Sequence, residues 1–120
     1  MKSSPPLDQE HLQEILQAAF PAVSWRRDKD LTHIGHLPSY ADTEARFQVE
    51  AFPPEAGSGI RRIDFHADFE VGRLRPHFHT THEPPNFKVF TRREAHKLIF
   101  NLAHDFGRLG VLFIRAGDLP

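Results

Sequence analysis

No cysteine occurs in the 120 residues, which excludes disulfides and thiolate metal sites and leaves His, Asp and Glu as the strong ligands on offer. Charge of one sign is not in excess either. The formal net charge is -1, so no global field points to a nucleic acid or a membrane, and charge arguments must be local. Long apolar runs are also missing. The opening "MKSSPPLDQE" has no apolar stretch behind its lysine, and nothing later approaches the length of a bilayer span. A cytoplasmic chain without a membrane partner is the expectation. At this length one core must serve everything, so we expect a single domain over 1–120 with 1–6 disordered.

Against these absences stand nine histidines, several times the usual share, and arginine doublets at Arg26 and Arg27, Arg61 and Arg62, and Arg92 and Arg93. The doublets read as solvated faces. The histidines call for a closer look.

Two helices are signed at their ends. After "SSPP", Asp8 can cap while Leu7 and Leu12 form a hydrophobic staple; Leu12, Ile15, Leu16, Ala19 and Phe20 then make one stripe that Pro21 ends. The second helix opens on a Thr91–Glu94 capping box and carries Ala95, Leu98, Ile99, Leu102, Ala103 and Phe106, with Gly107 as its natural C′ residue. "VLFIR" beyond it reads as a buried strand. Between the helices the period is two. Ala45, Phe47, Val49 and Ala51 alternate with Glu44, Arg46, Gln48 and Glu50, and Ile63, Phe65, Ala67, Phe69 and Val71 alternate with Arg62, Asp64, His66, Asp68 and Glu70. "RPHFHTT" repeats the alternation. "WRRDKDLTHIGHLPSY" allows a short strand on each side of "DKD" and then a loop, with His33 and His36 at the surface. The expectation is an α+β fold: an antiparallel β-meander of four or five strands, two helices on one face, the other face open.

The stretch "HADFEVGRLRPHFH" then acquires a geometry. Keeping the apolar residues together sets Ala67 against Phe78 and Phe65 against Thr80, and therefore His66 against His79, Asp68 against His77 and Glu70 against Arg75. Pro76 has no N–H to give to a ladder, which favours a four-residue "VGRL" loop over a two-residue turn. Either turn puts His66, Asp68, His77 and His79 on the open face. Such a quartet can act as general acid and base, with Asp68 orienting an imidazole. It can equally hold a divalent metal (Zn, Mn or Mg) through His66, His77 and His79, with Asp68 or His82 as a further ligand. Arg46 and Arg75 are candidates for a phosphate, Arg46 if Glu50 faces Arg62. A solvated sheet face that happens to use His is the bland alternative.

The stretch from "HFHTTHEPPNF" to "LAHDF" resembles the C-terminal half of TumE-like toxins of bacterial toxin–antitoxin pairs, with an H-x-H strand after a "GR" turn, an E-P strand and a closing helix. That resemblance implies a toxin directed at nucleic acid, carried by His77, His79, Glu83 and Pro84. "PHFH" also looks like the metal-binding motif of HUH endonucleases, and "HADFE" like the H-x-D-x-E element of some relaxases; Tyr40 would be the nucleophile. The leading expectation is a small nucleic-acid-directed protein, a ribonuclease-like toxin or phosphodiesterase acting on RNA or DNA. The rival is a non-enzymatic module, an immunity, antitoxin or anti-defence factor that binds a cognate protein.

Overall fold

Helix α1 begins where Asp8 supplies an acceptor: its side chain takes the His11 N–H at 2.7 Å. The helix runs Gln9–Ala19 and buries Leu12, Ile15 and Leu16. Helix α2, Arg92–Asp118, opens on the reciprocal bonds of a capping box, Thr91 N–H to Glu94 Oε1 at 2.9 Å and Glu94 N–H to Thr91 Oγ1 at 3.1 Å. The computed structural model describes residues 5–40, 43–85 and 88–118. Of the leading segment, residues 1–4 lie outside the described residues, whereas Pro5 accepts the Arg92 N–H and Pro6 forms a β-bridge with Thr91.

Five strands, β1 (Ser24–Asp28), β2 (Thr32–Tyr40), β3 (Thr43–Phe52), β4 (Arg62–Val71) and β5 (His77–His82), form one antiparallel sheet in chain order. This is the expected open-faced meander. The helices cover one face, where Phe20 packs on Trp25, Phe47 and Phe65, and Phe106 packs on Phe47, Phe65, Phe69 and Phe78. Leu7, Val49, Ile60, Ile63 and Ile99 complete a core that is almost dry. Among the described residues the other face carries no helix.

Four local expectations need correction. "VLFIR" is not a strand: α2 continues through Gly107 to Asp118. A short unbroken apolar run fits a buried helix as well as a strand, and glycine permits a helix end without enforcing one. The "VGRL" loop is also replaced. The chain turns at Gly72 and Arg73, with Gly72 at φ 62°, and Phe69 N–H donates to Pro76 O at 3.0 Å. That bond makes Phe69 and Pro76 a hydrogen-bonding pair of which proline completes only half; β5 starts one residue later, and Leu74 is left 63% exposed.

The β3–β4 register is the third. Glu50 faces Asp64, and it is Phe52 that faces Arg62, so Arg46 lies opposite Asp68. The Arg62 guanidinium sits 4.3 Å from the centre of the Phe52 ring, a contact that supports this register over the charge pairing. The fourth concerns β2, which continues to Tyr40 where a loop was expected, and turns His33 into the core with no exposed surface. Here the pattern is inverted. His33 and Gly35 face inward while Ile34 faces out, so polarity conceals the alternation. Gly35 lies opposite Trp25, and a Cβ there would come 2.7 Å from Val23 and 2.8 Å from the indole.

Candidate functional site

Three rows of side chains cross the open face. The central one reads Arg26, Ile34, Gln48, His66, His79 from β1 to β5; beside it run Ser24, His36, Arg46, Asp68, His77, and Asp28, Thr32, Glu50, Asp64, Thr81. The β4–β5 pairings are those expected from the sequence. Because Phe69 and Pro76 are a hydrogen-bonding pair, Asp68–His77 and His66–His79 are non-hydrogen-bonding pairs, the kind with the closer side chains.

The quartet divides into two units. His77 Nδ1–H donates to Asp68 Oδ1, which fixes the ring orientation and leaves Nε2 as an acceptor facing solvent. His66 instead stacks on His79, ring centres 4.1 Å apart and planes at 10°, and lies 6.0 Å from the His77 ring. Asp64 joins this second unit. Asp64, His66 and His79 each offer a ligand atom, and these atoms all lie within 4.8 Å of one another.

The surroundings suit a cation. The Arg62 guanidinium pairs loosely with Asp64, Nε 3.4 Å from Oδ1 and Nη2 3.5 Å from Oδ2, and Glu50 Oε1 is 3.8 Å from His66 Nε2. Both Arg62 contacts are long, which leaves the carboxylate able to take a metal ion as a second cation. Two imidazoles and one carboxylate are a set used by Zn and by Fe(II) or Mn sites that keep positions open for water or substrate; Mg prefers oxygen ligands alone.

Other anticipated residues fall elsewhere. His82 belongs to the opposite face, where it lies across from Ile63 and hydrogen-bonds Thr80 Oγ1 at 2.9 Å, so it is no ligand to this cluster. Burial lowers its pKa, against the pull of Asp64. Arg75 pairs with Glu70 at 3.5 Å beyond the quartet. Arg46 stands next to Asp68, largely exposed, with Glu44 at 3.4 Å. The side chain of Tyr40 lies outside the described residues. His36 is at the surface but ordered on a strand, its Nε2–H donating to Glu44 Oε1 at 2.9 Å; this bond, aided by Arg46, holds the Glu44 carboxyl below its usual pKa.

Asp64 is the member that sequence reasoning missed as a ligand. Its signal was present in "DFH", which has the same i, i+2 spacing as "HFH" and puts two ligands on one face of a strand. No protein family, no curated protein and no solved structure matches the chain.

Proposed function

We propose that the protein is a metal-dependent phosphodiesterase acting on nucleic acid, with Asp64, His66 and His79 as metal ligands and Asp68–His77 as the general-base pair. The observation that carries this reading is the convergence of one ligand atom each from Asp64, His66 and His79 within 4.8 Å of one another, beside two stacked imidazoles. Charge favours a metal over bare histidine chemistry. On this face the carboxylates of Asp28, Glu44, Glu50, Asp64, Asp68 and Glu70 outnumber the guanidiniums of Arg26, Arg46, Arg62 and Arg75, so a phosphodiester needs a further cation to approach. A divalent ion supplies that charge, and Lewis acidity at the phosphoryl oxygen.

The residues then have distinct tasks. His77 Nε2 takes a proton from the attacking water as its oxygen bonds to phosphorus, and the departing oxygen, on the opposite side of the phosphorus, takes its proton from solvent when the P–O bond breaks; Asp68 keeps the ring in the required tautomer. Arg46, beside Asp68, stabilises charge on the phosphate.

Cleavage of single-stranded RNA and DNA by untagged protein, with zinc or manganese and with chelator, tests the proposal. Cleavage that requires the metal is expected, and the substitution His77→Ala should lower it by roughly 100-fold or more while metal content is unchanged. No cleavage by the metal-loaded protein, or equal cleavage by a folded His66→Ala, His79→Ala double variant, would overturn it. Growth inhibition on expression, lost in the same variant, is the expected cellular counterpart if the protein is a toxin.

A second reading, a protein-interaction module, is favoured by one observation. Among the described residues β5 pairs only with β4, and the backbone groups of His77, His79 and Thr81 point off the edge of the sheet. Under that reading the ligand triad is dispensable. Partner binding unaffected by its removal would favour the module.

A further inference from the structure

The open face continues from the triad into a shallow basin of about 590 Å³, lined by Arg26, Ile34, His36, Arg46, Gln48 and Asp68. Its size falls within the range of roughly 300 to 1,000 Å³ typical of small-molecule sites. Its chemistry is mixed in an ordered way. Ile34 is a half-buried apolar residue, and its neighbours in the row are polar, Arg26 on one side and Gln48 on the other. Gln48 in turn stands directly opposite His66 of the triad.

We infer that this basin is a nucleobase subsite, which takes the base of a single-stranded nucleotide whose phosphate lies at the metal triad; for the phosphate it rests on the phosphodiesterase reading. Ile34 provides an apolar floor for one face of the ring. The Arg26 guanidinium, 66% exposed and 3.7 Å from Asp28, can lie over the other face. The Gln48 amide offers a donor and an acceptor to the base edge. Among the described residues it makes one hydrogen bond, a long one of 3.4 Å to Glu50, so these groups are available.

Spacing agrees with a single nucleotide. Neighbouring strands lie roughly 4.8 Å apart, which puts Ile34 on β2 about 10 Å from His66 on β4, a span a base and its sugar can bridge. Arg46 and Asp68, which holds His77, line the same basin. A paired base cannot present its face to Ile34 or its edge to Gln48, so the substrate class is a single strand or a mononucleotide.

The test is an NMR titration that follows the Ile34 methyl groups and the Gln48 side-chain amide. Adenosine and uridine are added to metal-free protein, then AMP, UMP and ribose 5-phosphate to protein with zinc. Nucleosides should shift Ile34 and Gln48 without metal, and with zinc the nucleotides should bind at least fivefold tighter than ribose 5-phosphate. Ile34→Glu and Gln48→Ala should each remove that advantage and leave zinc affinity unchanged. Equal binding of nucleotides and ribose 5-phosphate by the zinc-loaded protein, with no shift at Ile34 or Gln48, would overturn the subsite while leaving the metal reading intact. Nucleoside shifts at Ile34 and Gln48 in a protein that binds no zinc would support the subsite and overturn the metal reading instead.

Discussion

His33 shows how one inward-facing side chain sets a pH limit. It is fully buried, and burial, with Arg27 nearby, pushes its pKa down to about 4. Its ring is held at both nitrogens by α1, Nε2 2.8 Å from Gln9 Oε1 and Nδ1 3.2 Å from Gln13 Oε1. Gln9 Nε2 donates to Ala51 O at 3.0 Å, so its oxygen must face the ring and accept from His33 Nε2–H. In the neutral ring Nδ1 is then an acceptor, which requires the Gln13 amide to turn its NH2 toward it. The unfolded chain takes up a proton near pH 6.5 that the folded chain refuses until about pH 4. The His33 contribution is therefore complete above pH 6.5 and is lost as pH falls toward 4, on the order of 3 kcal/mol in all. Urea unfolding at pH 7 and pH 4.5 should show this loss, and His33→Gln should flatten the difference. An unchanged slope in that variant would contradict the assignment.

At the same scale, the site was only partly legible. His66, Asp68, His77 and His79 could be placed on one face because strand alternation fixes direction. Their division into a dyad and a triad could not, since it depends on ring rotamers and on the register of β3, which lets Glu50 face Asp64 and approach His66.

Elements were legible where local signals agreed. Both helix starts followed from caps, and the β4–β5 register followed from the need to keep Phe65, Ala67 and Phe78 together. Replacing Thr91 by Ala breaks one reciprocal bond and should cost about 1 kcal/mol, read as a lower urea midpoint with unchanged slope. Where signals conflicted the reading failed. The sequence of β2 reads partly as a loop because the core demands glycine under Trp25 and a hydrogen-bonded histidine under α1, neither of which looks like an inward strand residue. Gly35→Ala tests that explanation: the new methyl must displace the indole or Val23, a destabilisation of roughly 1 to 3 kcal/mol. Stability equal to wild type would mean that the close approach of Trp25 is not required.

For the whole molecule, the meander separates stability from chemistry. The helices and the aromatic core occupy one face of the sheet, while ligand atoms, the dyad and the basin occupy the other. Side chains on the open face can therefore be changed with little effect on the core, which makes them good subjects for substitution. The balance of charge on that face also yields a prediction. With carboxylates in excess, nucleotide affinity should depend on the bound cation far more than on added salt, whereas a face built from arginines would weaken steeply with ionic strength.

Everything functional rests on the triad. Calorimetric titration of zinc into untagged, metal-free protein, repeated with the Asp64→Asn variant, measures it directly. The account predicts one equivalent bound by the wild type and affinity lower by roughly tenfold or more in the variant. Failure of the wild-type protein to bind zinc, or equal binding by the variant, would contradict it.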